Sequence, residues 1–485
     1  MDRSSMSGFG CRLQVTKGRL KANSCRWFSY CALLIIPMFL MNGCGSWQMQ
    51  LCAEETNVVL IMIDTLRADH LGCYGYSRDT SPNIDRFASE GVVLGRTISQ
   101  SPWTRPSVAS ILTSTYPLTH GIVKERFDGL PQGLTTLSEL LHDEGYSTYG
   151  YTANPNLNAV FGFNQGFDIY INSIAVFNWM LGLKDIPDET PTGLGNFLNA
   201  AILTDLVLRD VEKFQPPFYL QVFYMDPHVP YTPPPPYNHR FGNGSEEDLY
   251  DGEIAFTDEH VGRIVDEIMK NYPNTLVVIT SDHGEGFNEN NNSLLDKRHG
   301  NLLYDTIVHV PLIINHPSLE ARTVRNTVEL IDLFPTIIEL LGLECPGGVE
   351  GTSFAPALMG EEAVDKNFAY METGWRNMNK AGIISRQWKY IMNMDHEVMN
   401  KFNRERGLEE YFLPDELYNL STGGPERTDQ NLSGQHPDIV DSLKAQLVNF
   451  MKTHAGHMEK RVIPGVDDET LKQLKALGYL GESNR

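Results

Sequence analysis

Three short apolar runs punctuate the chain: NVVLIMI at Asn57–Ile63, FYLQVFYM at Phe218–Met225 and TLVVITS at Thr275–Ser281. Each is continuous rather than alternating and rich in β-branched or aromatic residues, the pattern of a strand buried on both faces of a parallel sheet. Between them the apolar positions fall at helical spacing. Thr135–Gly145 begins with a capping pattern, groups Leu137, Leu140 and Leu141, and stops at a glycine. Asn199–Phe214 and Leu330–Gly342 read as two further helices. Ser99–Gly121 reads as a loop running into a short helix that opens at Pro106, because proline loses no intrahelical bond at a first helical position. Strands alternating with helices predict an α/β fold with a mostly parallel central sheet flanked by helices.

Beyond the glycine- and proline-rich ECPGGVEG the pattern changes. Lys380–Asn393 and Asp415–Leu420 predict short strands of a smaller antiparallel unit, with closing helices at Asp438–His454 and Asp468–Leu480. The expected organisation is a leader over residues 1–44, a large α/β domain over 55–360 and a smaller C-terminal α+β domain over 365–485.

The leader stands apart by charge. Arg12, Lys17, Arg19, Lys21 and Arg26 precede the apolar run Trp27–Met41, which is short for a membrane span and fits an export signal. Gly43–Cys44 then falls where a bacterial lipoprotein is cleaved and lipidated, although Met41 and Asn42 depart from the usual pattern; a later cut near Ala53 and an uncleaved anchor are the other readings. All three export the body and confine membrane contact to an N-terminal anchor. The whole chain of 485 residues carries a net charge of −22, and the part after Cys44 holds 33 basic against 60 acidic residues. Such a body repels nucleic acid, so an anionic substrate requires a metal or local cations at the site. Of the seven cysteines only Cys73 and Cys345 lie well beyond the leader, which excludes a disulfide framework and a thiolate metal site. They read as unpaired buried thiols, or as one bridge.

Each buried strand ends in acid: Asp64 after the first, Asp226 after the second, Asp282 with His283 after the third. Ligands of open α/β sheets bind beyond the carboxyl ends of strands, so these residues should converge. Carboxylates with an imidazole suit a divalent cation, and the histidine favours Mn²⁺ or Zn²⁺ over Mg²⁺ or Ca²⁺. Thr104, near a helix start, reads either as a cap or as a nucleophile placed where a helix favours an anion.

These residues carry a resemblance. The stretch NVVLIMIDTLRADHLGCYGYSRDTSPNIDRFASEGV, followed in order by PSVASILTSTYPLTHG, VVITSDHGEGF, VELIDLFPTIIELLG and ELYNL, resembles the sulfatases of the alkaline phosphatase superfamily over Asn57–Leu432. The resemblance implies a large α/β domain with a smaller domain built on a four-stranded sheet. It places Asp64, Asp282 and His283 on metal-ligand positions, and Thr104 on the nucleophile, itself also a ligand. Two departures matter. Sulfatases proper carry Cys or Ser there, matured to formylglycine, in a motif that continues to an arginine; this chain has TRPSV, with Val108 in the arginine's place. Many also have paired aspartates after the first strand, where this chain has Asp64–Thr65. Threonine cannot become formylglycine, so its covalent ester must be released by water. That is the logic of the superfamily's phosphodiesterases, phosphonate hydrolases and phosphoethanolamine transferases, and it shifts weight from sulfate toward phosphate esters.

By the same resemblance His228 binds the substrate oxyanion or protonates the leaving group, and His299 stands at the leaving-group lysine and serves as acid. Asn154 would hydrogen-bond the ester. Lys297 and Arg105 would contact substrate, with Arg298 beside them, Trp103 divided between pocket and core, and Asp226 as a ligand for a second metal. The expected protein is an exported metal-dependent hydrolase of sulfate or phosphate esters on a small molecule, glycan or lipid headgroup, using one Mn²⁺, Zn²⁺ or Ca²⁺. A phosphodiesterase or phosphonate hydrolase, a phosphoethanolamine-type transferase, and a catalytically inactive binding protein are the alternatives.

Overall fold

In the computed structural model the three apolar runs lie side by side at the centre of a nine-stranded sheet. The structure describes residues 51–123, 128–172, 199–242, 244–287, 289, 298–361, 366–375, 379–394, 414–422, 426, 430–454 and 461–462. The leader, Lys297 and the helix expected at Asp468–Leu480 lie outside them.

In chain order the strands are β1 (Asn57–Ile63), β2 (Val92–Ile98), β3 (Asp128–Gly129), β4 (Ser147–Thr152), β5 (Ile169–Ile171), β6 (Phe218–Tyr224), β7 (Thr275–Ser281), β8 (His309–Val310), β9 (Leu312–Asn315), β10 (Arg322–Glu329), β11 (Ala369–Thr373), β12 (Lys380–Ile384), β13 (Trp388–Asn393), β14 (Glu416–Asn419) and β15 (Arg461–Val462). The large sheet runs β10-β2-β9-β7-β1-β6-β4-β5, with the short β8 against β2. Along it only β9 is antiparallel to its neighbours. The strands β11 to β14 form a separate antiparallel sheet of four.

The pleat explains the continuous apolar runs. Val58, Leu60 and Met62 of β1 face a layer with Leu112, Leu137 and Phe334, while Val59, Ile61 and Ile63 face Leu203, Ile254 and Ile264 on the other side. The helix Leu137–Asp143 is shorter than expected because Thr136 caps it, its hydroxyl accepting from the Glu139 amide at 3.1 Å. Asn199 likewise caps Ala200–Asp210, and Leu330–Gly342 divides into a 3-10 turn followed by the helix Leu333–Leu340. The longest described helix, Glu246–Asn271, escapes the sequence pattern because it buries Asp251, Glu253 and Asp258 among its apolar residues. Cys73 and Cys345 are free thiols, the first half-buried and the second exposed, so neither the bridge nor fully buried thiols are found.

One ion-pair cluster ties the small sheet to the large one. Lys389 of β13 is fully buried and lies 2.8 Å from both Asp305 and Glu426. Burial would raise the Asp305 carboxyl, but Lys389 and then Arg96 overcome it and hold the group well below the usual range. Removing one member of such a cluster strands the others without water or counter-charge. Lys389→Ala should therefore lower the unfolding free energy by about 3–5 kcal/mol, read from urea denaturation at neutral pH.

Candidate active site

Parallel register assembles the site. Ile63 of β1 pairs with Ser281 of β7, so Asp64 and Asp282, next in their chains, leave the sheet together, with His283 following. The three side chains are fully buried, and one ligand atom from each lies within 4.8 Å of the other two. His283 Nε2 stands 3.6 Å from Asp64 Oδ1 and 3.4 Å from Asp282 Oδ2. His283 Nδ1 donates to the Gly284 carbonyl at 3.0 Å. That bond fixes the neutral tautomer and leaves Nε2 carrying a lone pair. Asp64 Oδ1 and Asp282 Oδ2 have no hydrogen-bond partner. Three electron-pair donors thus converge, a donor set that fits a divalent cation. Without one, burial and then Asp282 lift the Asp64 carboxyl far above its usual range, and burial lifts Asp282 to about 7.

Gly284 makes the loop possible. A Cβ there would lie 2.1 Å from the Thr306 carbonyl oxygen, so only glycine lets the chain turn this closely after His283.

Thr104 comes into the cluster from β2. The helix runs Thr104–Thr113, two residues earlier than expected: Trp103 stands at the cap without a capping side-chain bond, and Pro106 sits inside the first turn, where its missing N–H costs nothing. The Thr104 hydroxyl is therefore not a cap. It is fully buried, 3.5 Å from His283 Nε2, and accepts from Asn154 Nδ2 at 3.4 Å. Ser99 and Ser107 hold the helix start in place, both donating to the Asp282 backbone carbonyl, at 2.6 and 2.7 Å. No role had been expected of either serine; their signal was only a Ser-rich approach to the helix.

Asn154 departs from the expected contact with the ester. Its Nδ2 also donates to Asp64 Oδ2 at 2.5 Å, and its Oδ1 accepts from the Asn156 amide at 2.8 Å, so both ends of the side chain are engaged within the protein. Arg105 departs too. Its buried guanidinium lies 4.5 Å from the Phe161 ring and donates to Asn156 Oδ1 and the Asp128 carbonyl. Trp103 is fully buried against Trp375, ring centroids 5.1 Å apart.

The expected histidines join the cluster. The His299 ring lies 4.5 Å from that of His283 and 4.9 Å from that of His228, centroid to centroid. His228 Nδ1 donates to the Val229 carbonyl at 2.6 Å, and burial, then His299, push its pKa down to about 3, so the ring is neutral. His299 Nδ1 lies 3.3 Å from Glu285 Oε1. Glu285 is the residue that the sequence reading missed, although it stands two places after His283 in the same turn. It is fully buried and accepts from the Tyr231 hydroxyl at 3.0 Å. Arg298, over the Tyr231 ring, pairs with Glu246 at 3.1 Å and braces this side rather than the ester.

Asp226 lies apart from the ligand cluster. Its Oδ2 accepts from the Ala200 amide at 2.6 Å, and its carboxyl is hydrogen-bonded to Glu253. Among the described residues the grouped ligands are Asp64, Asp282 and His283 alone.

The comparisons agree with this geometry. The sulfatase family model matches residues 56–343, and that for the C-terminal region of N-sulphoglucosamine sulphohydrolase matches residues 291–452. The chain belongs to the sulfatase family. It is thus a member of a metal-dependent family of sulfuric ester hydrolases. An ulvan-active sulfatase of Formosa agariphila is 26% identical over 382 residues, 69% of this chain and 72% of that protein. A phosphonate monoester hydrolase from Silicibacter pomeroyi has the same fold, with a TM-score of 0.65 at 22% identity over 83% of this chain and 96% of that one. So does a structure solved with its substrate D-glucosamine-2-N,6-O-disulfate, at 0.64 and 17% identity over 82% and 98%.

Two measurements follow. Asp282→Asn removes one of the repelling donors, so without metal the variant should melt no lower than the parent, while added Mn²⁺, Zn²⁺ or Ca²⁺ should raise the melting temperature of the parent alone. At an ion concentration of about 100 Kd mass action supplies about 2.7 kcal/mol, which differential scanning fluorimetry resolves. The second concerns the Asp226–Glu253 pair. Burial, and then Asp226, raise the Glu253 carboxyl from 4.5 to about 9. Its contribution is complete below the lower value and is lost as pH rises toward the upper one. Urea unfolding at about pH 5, 7 and 9 should show stability falling with pH, and Glu253→Gln should flatten that fall.

Proposed function

We propose that this protein hydrolyses sulfate esters carried on sugars, with Thr104 as nucleophile in a site that requires a divalent cation. The observation that carries the reading is the placement of a fully buried hydroxyl at a first helical position, where it caps nothing and instead meets His283 Nε2 and Asn154 Nδ2. Similarity to a sulfatase named for a polysaccharide, and the fold shared with a protein whose substrate is a sulfated amino sugar, support the choice of a glycan.

Asp64, Asp282, His283 and Thr104 would hold the cation, which when bound polarises the ester and acidifies the hydroxyl. The residues of the chain do the rest. Asn154 donates toward Thr104 Oγ1, and the positive helix end favours the alkoxide. Thr104 Oγ1 attacks sulfur and the sulfur–oxygen bond to the sugar breaks. His228 is neutral, with Nδ1 committed to Val229, so the proton for the leaving oxygen comes from His299, oriented by Glu285. Now neutral, His299 takes a proton from the water that attacks the sulfur of the sulfated threonine, which frees hydrogen sulfate, returns Thr104 as the alkoxide and restores His299 as the acid. One ester and one water become one alcohol and one hydrogen sulfate. Export by the leader, with a lipid at Cys44, would place the enzyme beside polymeric substrate.

Thr65 favours a second reading. Standing where many sulfatases have an aspartate, it removes a negative charge from the site and lowers repulsion toward a phosphate or phosphonate ester.

A panel of aryl sulfate, phosphate monoester, phosphodiester and phosphonate, with Mn²⁺, Zn²⁺ or Ca²⁺ added, discriminates these. Aryl sulfate should turn over only with added cation, and Thr104→Ala should lower kcat by about a thousandfold or more while the protein stays folded. Undiminished turnover in that variant would remove Thr104 from the mechanism. Turnover of a phosphorus ester alone would select the second reading, and none at all the binding-protein alternative.

A further inference from the structure

Away from the catalytic cluster, a cavity of about 300 Å³ opens between the edge of the large sheet and the small one. Four cations line it: Arg96 of β2, Arg325 of β10, Lys366, and Arg386 in the turn between β12 and β13. Among the described residues no carboxylate lines it, although the chain carries a net charge of −22. Asp305 neutralises Arg96 at 2.8 Å, and Glu329 and Asp332 neutralise Lys366 at 2.7 and 2.6 Å, all from behind the lining. The exposed Arg325 makes no ion pair or hydrogen bond with any described residue. Asn326, Thr327 and Ser385 are also in the lining, the Ser385 hydroxyl being bonded to the Trp388 backbone in its own turn.

The backbone is shaped to present Arg325. The pairing of β10 with β2 is regular to Val324–Leu94 and resumes at Thr327–Arg96, so β10 carries one extra residue at the point where Arg325 and Asn326 enter the lining. A bulge of this kind re-aims side chains that a flat strand would alternate between faces. Phe368 precedes the lining residue Ala369 in the chain and is one of two large apolar side chains exposed among the described residues. An exposed aromatic one residue from the lining, with an exposed guanidinium in the lining itself, suits a sugar carrying an anionic ester: a C–H face can pack on an aromatic, and an oxyanion meets the fork of donors.

We propose that this cavity is an accessory subsite that takes a sulfate group of a glycan chain, separate from the ester being cleaved. It rests on the reading of the protein as a glycan sulfatase, and its consequence is selectivity for polymers sulfated at more than one residue.

The test is binding of a sulfated galactan hexasaccharide, by calorimetry, to full-length protein carrying Thr104→Ala so that no ester is consumed. Adding Arg325→Glu should weaken binding about 10- to 100-fold, the range for loss of a charge-assisted contact, and Arg325→Lys should keep most of it. The chemically desulfated hexasaccharide should bind the Thr104→Ala protein as weakly as the sulfated one binds the Arg325→Glu protein. Aryl sulfate turnover by Arg325→Glu in an otherwise native chain should be unchanged. Equal binding with and without Arg325→Glu would overturn the proposal, as it would if the arginine serves only to keep the sheet edge from pairing with another copy. Inorganic sulfate binding as tightly as the hexasaccharide would overturn the assignment to a glycan. If the native protein cleaved no sulfate ester while hexasaccharide binding still depended on Arg325, the hydrolase reading would fail and the subsite would stand.

Discussion

The parallel register of β1 against β7 is the constraint on which the site depends. Because Ile63 and Ser281 are paired, two carboxylates emerge from adjacent strand ends and meet fully buried. A slip of one residue would turn one of them to the opposite face of the sheet and break the apolar layers on both sides. The large core that fixes this register therefore holds the acids together against their own repulsion. Alternate residues of one strand, Leu60 and Ile61 for example, pack into different helical layers, and neither layer tolerates the shift.

The site is built in two halves. Around Asp64, Asp282, His283 and Thr104, electron pairs converge and proton donors are scarce. Around His299, Glu285 and Tyr231, donors meet acceptors: the Tyr231 hydroxyl donates to Glu285, and His299 Nδ1 faces the same carboxylate. A buried ring that is kept neutral, His228, stands at the border.

The sequence made some of this legible and concealed the rest for physical reasons. Runs such as Asn57–Ile63 and Thr275–Ser281 are apolar at every position because both their faces are covered, so their strands were visible, and the acids that follow them marked the sheet's carboxyl end. The helix Glu246–Asn271 was hidden because Asp251 and Asp258 are buried as hydrogen-bond acceptors, which disrupts the apolar stripe. Asn154 and Arg105 were visible as polar residues near the nucleophile, but their partners are set by tertiary geometry, Asp64 for one and Asn156 for the other. Glu285 illustrates the same limit: the letter was plain, yet the fold-back that brings it to His299 depends on Gly284 passing against Thr306.

The two serines that grip the Asp282 carbonyl have a further implication. They fasten the strand end carrying one acid to the helix carrying Thr104, through atoms that do not include the Thr104 hydroxyl. These two bonds are thereby independent of which small polar group occupies position 104. Exchange of the side chain at that position leaves this fastening in place, which offers a physical route for a single architecture to serve more than one kind of ester.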